Sequence, residues 1–120
     1  SRSLRRRYRL YYLLQKVTAL KLQEARSVEE LWHILRDLAV DYDLHTLRLD
    51  VNGEERQWRR PHAGEKSEED VREFDLNGGN ASLYVSHNGE KDRDIKLEQN
   101  LLLEQISREL SGQLARLDKA

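Results

Sequence analysis

Four histidines are the residues of this sequence best suited to bind a metal ion or to transfer a proton. They are His33, His45, His62 and His87. A metal site needs several donors that converge, typically two residues apart on a strand or four apart on a helix, and no two of these histidines have that spacing. His62 falls in a polar loop with Glu65, and one histidine with one carboxylate is too little for a site. The sequence therefore predicts no metal site, and His87, on the apolar phase of a strand, is expected to be half-buried or to lie at the end of the strand.

The other patterns that resemble catalytic motifs have simpler interpretations. Adjacent carboxylates at 54–55 and 68–70 lie in polar stretches, whereas catalytic pairs need a cleft that separates their pKa values. The glycine-containing segment 77–80 precedes a predicted strand, whereas a phosphate-binding loop precedes a helix. There is no nucleophile elbow and no cysteine. We therefore expect this chain not to be an enzyme and to need no cofactor.

Length and composition predict one domain with a thin core. The 120 residues suffice for one core, and 36% of them are charged, against about 25% in an average protein. The net charge of −1 gives no overall attraction to nucleic acid, which is not expected as a partner. The absence of cysteine fits a reducing cytoplasm. Methionine is absent even from position 1, which predicts a domain cut from a longer protein.

Hydrophobic periodicity predicts three helices. The first covers residues 4–24. The second begins at a capping box in which Ser27 accepts from the Glu30 amide and the Glu30 side chain reaches back to the Ser27 amide, and it ends near 41–43. The third covers about 94–117.

Alternating apolar residues predict four strands. They are Leu44–Val51, a strand through Gln57 and Trp58, Val71–Leu76 and Ala81–His87. Asn52-Gly53 is a strong hairpin signal because both residues tolerate positive φ. The first and fourth strands have the most regular apolar faces and should be central, whereas Pro61 suits the second to an edge. We expect the order 2-1-4-3 with antiparallel pairs, the first and fourth strands being either parallel or antiparallel.

These elements predict an α+β fold, in which a central antiparallel four-stranded sheet is flanked by two N-terminal helices and one long C-terminal helix. The single domain covers 1–120, with a basic lead-in at 1–9, two helices in 10–43, the sheet in 44–87 and the last helix at 94–118.

The order of elements resembles that of GAF-like and PAS-like sensor domains, in which a trailing helix returns to pack beside the first. The stretches that carry the resemblance are Ser27–Trp32, Leu44–Val51, Ala81–Val85 and the helix from about Asp94. GAF domains that bind cyclic nucleotides or chromophores usually have extra helices between the second and third strands, which cap the ligand. Only the polar residues 62–70 occupy that interval here, so a small-molecule ligand is not expected.

The resemblance also implies a cellular context. Short GAF-like domains occur as cytoplasmic tails of bacterial membrane enzymes, among them the undecaprenyl-phosphate sugar-1-phosphate transferases of polysaccharide synthesis. It implies a non-catalytic regulatory or dimerisation module at the cytoplasmic face of the inner membrane, within a larger membrane-attached protein. The alternative is a small-molecule-sensing GAF or PAS domain of a signalling protein.

An arginine cluster at the start of the first helix is the most suggestive local feature. Arg5, Arg6, Arg7 and Arg9 are predicted to be membrane-proximal, because arginine accumulates just cytoplasmic of a membrane span and attracts anionic lipid head groups. A charged helix end without a function is the simpler alternative, and nucleic-acid binding is a third.

The terminal helices have apolar surfaces wider than one contact with a sheet requires, which predicts a homodimer through these helices. The interface is predicted to contain Tyr8, Tyr12, Leu103, Ile106 and Leu110. In the alternative, the additional apolar residues wrap the sheet edges of a monomer.

Overall fold

The elements of the chain are taken from a computed structural model that describes residues 2–61, 69–89 and 92–119. The helices in this part are α1 (Arg2–Glu24), α2 (Val28–Asp41) and α3 (Arg93–Asp118). The strands are β1 (Leu44–Val51), β2 (Glu54–Arg59), β3 (Glu69–Leu76) and β4 (Ala81–Asn88), with a short 3-10 turn at Asn77–Gly79. The predicted α+β class with its four-stranded sheet is confirmed. The predicted loop residues His62 and Glu65 lie outside the described residues.

Side chains cap the starts of α2 and α3. Ser27 Oγ accepts from the Glu30 amide at 3.1 Å, as predicted. The Glu30 carboxylate accepts from the Arg26 amide at 2.6 Å, one residue before the predicted donor. Asp92 accepts from the amides two and three residues further along, at 2.9 and 3.0 Å. Because the first amides of a helix have no partner within it, these bonds determine where both helices begin.

The strands lie in the order β2-β1-β4-β3, and every neighbouring pair is antiparallel. The predicted order is confirmed, and the β1–β4 pair, whose direction the sequence left open, is antiparallel. Asn52 and Gly53 have φ values of 51° and 85°, which a tight turn between β1 and β2 requires.

One face of the sheet is covered by helices. Leu49 of β1 lies opposite Leu83 of β4, and both are buried in a core that includes residues of α2 and α3. Their neighbours Arg48 and Tyr84 belong to the opposite face, where the Arg48 guanidinium lies 4.8 Å from the centre of the Tyr84 ring. The sheet therefore has one apolar and one polar face, as a period of two implies.

Helix α1 packs on the other two helices and runs parallel to α3. Gln23 donates to the Glu109 carboxylate at 3.0 Å, and further along both helices Gln113 donates to the Ala25 carbonyl at 2.7 Å. Within the described ranges, none of the helices has the length and apolar character needed to span a membrane.

Candidate functional site

Helix α1 carries an apolar row that its own chain leaves exposed. The row, called here the α1 stripe, consists of Leu10, Leu13, Val17 and Leu20, whose exposed fractions lie between 48% and 63%. Spacings of three, four and three residues place them on one side of the helix. A different side, with Thr18 and Leu22, is buried against the rest of the chain, and Tyr11 packs on the core from there. Helix α1 therefore has two apolar sides, of which one is packed.

The structure corrects the predicted dimer interface. Leu103, Ile106 and Leu110 are at most 1% exposed and belong to the core, so their assignment to an interface between chains is wrong. The reason is that α3 packs between α1 and the sheet, which uses its wide apolar surface within the chain. Tyr12 is 57% exposed but lies about a third of a turn from the α1 stripe. The side chain of Tyr8 lies outside the described part.

A groove of about 620 Å³ runs between the α1 stripe and the end of α2. Its apolar floor contains Leu10, Leu13 and Val17, and its other wall contains Asp41 and Asp43. The exposed apolar row is thus bordered by two carboxylates.

The four predicted membrane-proximal arginines divide into two groups. Arg5, Arg6 and Arg9 are exposed, as contact with a lipid surface would require. Arg7 is half-buried, and its guanidinium donates to the Tyr11 hydroxyl at 3.4 Å. Three of the four are therefore exposed enough to face a membrane, while Arg7 is half-buried beside Tyr11.

A polar cavity of about 150 Å³ lies where the end of α2, the end of β4 and the amino-terminal parts of α1 and α3 meet. We call it the sheet-end cavity, and its lining is Arg7, Tyr11, Tyr42, Asp43, His87, Asn88 and Gln99. The Tyr42 ring meets Tyr11 edge-on at a centroid distance of 5.2 Å and His87 at 6.4 Å. These ring contacts hold side chains from three elements around one small volume.

Three residues of this lining each have one buried side-chain atom that has no hydrogen-bond partner in the part of the chain that the structure describes. The atoms are Tyr42 Oη, His87 Nε2 and Gln99 Oε1, on side chains of residues that are 5%, 2% and 7% exposed. A buried polar atom without a partner costs about 1–3 kcal/mol, and most buried polar atoms in folded proteins are bonded. The residues that carry these atoms line the cavity, whereas the three atoms themselves are buried within the protein.

Each of the three groups has a defined hydrogen-bonding role. Burial, and to a lesser extent Tyr11, raises the pKa of the Tyr42 hydroxyl far above its usual range, and Arg7 offsets this only in part. The Tyr42 hydroxyl therefore remains protonated and can donate. His87 Nδ1 lies 3.0 Å from the Asn88 carbonyl oxygen, which can only accept, so Nδ1 carries a hydrogen and donates it to this bond. Gln99 Oε1 can only accept.

The two other described histidines, His33 and His45, do not line this cavity. His45 is buried at an irregularity in β1, with Nδ1 3.0 Å from a carboxylate oxygen of Glu69. His33 is exposed on α2. Among the described residues, no three histidine or carboxylate side chains are grouped so that they could hold a metal ion.

Of the three groups with unpartnered atoms, the sequence drew attention only to His87. Tyr42 continues the apolar side of α2 and has the pattern of an ordinary core residue. Gln99 carries a local signal, because it lies on the buried side of α3 four residues after Ile95 and three before Leu102. A polar side chain on the buried side of a helix normally has a hydrogen-bond partner.

Comparison of the chain with protein-family models, with curated proteins and with solved structures found no match.

Proposed function

We propose that this chain is a non-catalytic regulatory module that forms a homodimer through α1 within a larger, membrane-attached bacterial protein. The α1 stripe is the observation that carries this proposal. Four apolar side chains stand in solvent, although another side of the same helix is packed into the core. Contiguous exposed apolar surface of this kind marks interaction sites on folded domains.

The spacing of the α1 stripe supports a second helix as its occupant. Leu10, Leu13, Val17 and Leu20 follow the three-four-three pattern of coiled-coil a and d positions. The row extends for about 15 Å along the helix at ~1.5 Å per residue. Two copies of α1 that meet along this row would bury both stripes by one symmetric contact.

The charges beside the α1 stripe favour a second copy of the same chain. Asp41 and Asp43 border the groove next to the stripe, whereas exposed Arg9, Lys16 and Lys21 lie on α1 itself. A second α1 laid along the stripe brings basic side chains towards the acidic wall of its partner. Opposite charges at the rim of an interface favour correct orientation more than they add affinity.

The GAF-like assignment and the membrane context are parts of the same proposal. Helix α3 packs beside α1, and the sheet between α2 and α3 in the chain is antiparallel and four-stranded, which agrees with the element order of GAF-like domains. Exposed Arg5, Arg6 and Arg9 at the start of α1 support attachment at the cytoplasmic face of a membrane. An undecaprenyl-phosphate sugar-1-phosphate transferase of polysaccharide synthesis is the parent protein that this context suggests.

Sedimentation equilibrium of the full chain tests the dimer. We expect a mass of twice 14.2 kDa at tens of micromolar protein. The double substitution Leu13→Glu with Val17→Glu should give a folded monomer, because both side chains are about half exposed and their burial is needed only between chains.

The matched control is Tyr12→Glu with Leu101→Glu, which changes two exposed apolar residues outside the α1 stripe by the same charge. This variant should remain a dimer. A single species of 14.2 kDa for the unchanged chain, or dissociation of the control as readily as the stripe variant, would reject the proposal.

A further inference from the structure

We propose that two copies of the chain pair through α1 in an antiparallel orientation, so that Arg6 of each copy lies opposite Glu24 of the other. The orientation rests on the proposed dimer, and it adds how the second copy is recognised. The charges at the two ends of the α1 stripe are the observation that carries it.

The α1 stripe is continued by a charged residue at each end. Arg6 lies seven residues before Leu13, and Glu24 lies seven residues after Val17. Because seven residues make almost two full turns, both charged side chains fall on the side of α1 that carries the stripe. Both residues are exposed. The row that a second helix would contact is therefore apolar in its middle, positive at one end and negative at the other.

The apolar part of the α1 stripe fits either orientation of the second helix. When Leu13 lies opposite Val17 of an antiparallel second copy, Leu10 lies opposite Leu20 of that copy, because both pairs are centred on the same point of α1. In a parallel pair each residue lies opposite its own copy, which also brings apolar residues together. The apolar residues therefore do not select the orientation.

The charged ends of the row select it. With the same centre, Arg6 lies opposite Glu24 of the antiparallel second copy, and the twofold symmetry repeats this contact at the other end. In a parallel pair Arg6 would meet its own copy, and so would Glu24. Opposite charges across an interface favour one arrangement, and like charges disfavour the other.

The lysines beside the α1 stripe agree with the antiparallel orientation. In a parallel pair Lys16 of each copy would lie near Lys21 of the other, which gives two repulsive contacts. An antiparallel pair has one repulsive contact at Lys16, between its two copies near the twofold axis. Lys21 then lies over the groove of the second copy. The lining of this groove includes Arg7 but also the carboxylates of Asp41 and Asp43, so acidic groups predominate there.

The chain contains no cysteine, so single cysteines report the orientation by disulfide formation. We expect Leu10→Cys alone and Leu20→Cys alone to form little linked dimer under mild oxidation. In the antiparallel pair each cysteine lies ~15 Å along the helix from its own copy, which is too far for a disulfide. An equal mixture of the two variants should give linked dimers with one chain of each, which mass spectrometry identifies. Leu101→Cys, exposed on α3, measures the background of random linkage.

Charge reversal tests the contact between the ends of the row. Glu24→Lys should raise the dissociation constant of the dimer roughly tenfold, because two attractive contacts between exposed charges become repulsive. Addition of Arg6→Glu to the same chain should restore most of the affinity, since the exchanged charges attract again. Glu73→Lys, the same change of charge at an exposed position of β3, is the matched control and should leave the dissociation constant unchanged.

The results separate the orientation from the dimer itself. The antiparallel orientation is wrong, although the dimer stands, if Leu10→Cys links to its own copy. The same holds if Glu24→Lys has no effect on the dissociation constant, or if Arg6→Glu does not restore the affinity. A single species of 14.2 kDa in sedimentation, or linkage of the stripe cysteines no greater than that of Leu101→Cys, would reject the dimer through α1 and the orientation with it.

Discussion

The side chain of Arg60 joins the end of β2 to the end of α2. Its guanidinium donates to the carbonyls of Ala39, Val40 and Leu44 at 2.9–3.0 Å. The last carbonyls of a helix have no partner within it, and a cation there also interacts favourably with the helix dipole. Helix α2 has no basic residue in its own last turn, so Arg60 supplies the charge from the sheet.

We expect Arg60→Ala to lower the free energy of unfolding by about 2 kcal/mol, because three carbonyl partners lose a charged donor together. Urea unfolding at a fixed protein concentration measures this. Arg59→Ala is the control, since Arg59 is exposed on the neighbouring position of β2, and it should change stability by less than ~0.5 kcal/mol. Equal unfolding midpoints for the two variants would mean that Arg60 does not have this role.

Helix α3 has two sides with different energetic roles. Ile106 is fully buried between α1 and the sheet, whereas Leu101 is 47% exposed on the same helix. The sequence shows an apolar residue at both positions, and only packing distinguishes them.

Ile106→Ala should therefore lower the stability of the folded chain by about 2–5 kcal/mol, the range for truncation of a large buried side chain. Leu101→Ala should change it by less than ~0.5 kcal/mol. Unfolding curves recorded at two protein concentrations provide the measurement, because a loss of stability within one chain has the same size at both concentrations. If Ile106→Ala changed only the equilibrium between monomer and dimer, the assignment of this residue to the core would be refuted.

At the scale of the whole molecule, the amino-terminal end of α1 brings the charged and apolar surfaces together. Arg5, Arg6 and Arg9 are exposed there, the α1 stripe begins at Leu10, and Arg7 lines the sheet-end cavity. The net charge of −1 hides this distribution, since a positive end is balanced by acidic residues elsewhere. A surface with separated charges can bind an anionic partner at one end although the chain is nearly neutral.

Replacement of Arg5, Arg6 and Arg9 by Gln should leave the thermal midpoint unchanged and weaken binding to anionic lipid vesicles by roughly a hundredfold, at ~1 kcal/mol per basic residue. Co-sedimentation with vesicles at low salt measures the binding. The control replaces exposed Arg36, Arg108 and Lys119 by Gln, which gives the same net charge. Equal loss of binding in both variants would remove the case for a membrane-proximal end.

Much of the local structure followed from the sequence because its causes are local. The alternation in Leu44–Val51 predicted β1 with the observed bounds, and Asn52-Gly53 predicted the turn after it. The strand order was also predictable, because the two strands with regular apolar faces had to be central. Charge and proline in turn assigned β2 to an edge.

The interfaces and the cavity did not follow from the sequence, because they depend on what covers each surface. Periodicity identifies a side of a helix as apolar, but Leu10 and Val17 turned out to be exposed, whereas Leu103 and Ile106 are buried. A residue's partners lie on other elements, and packing alone selects which of two apolar sides of α1 enters the core.

The sheet-end cavity shows the same limit at longer range. Tyr42 and His87 are 45 positions apart, and Gln99 is 12 further along. Each has an ordinary local position: Tyr42 lies at the end of a helix, His87 on a strand and Gln99 on the buried side of a helix. The three residues line one cavity because β1 and β4 are neighbours in the sheet and α3 returns beside α1. A sequence pattern that repeats over a few residues carries no information about contacts of that kind.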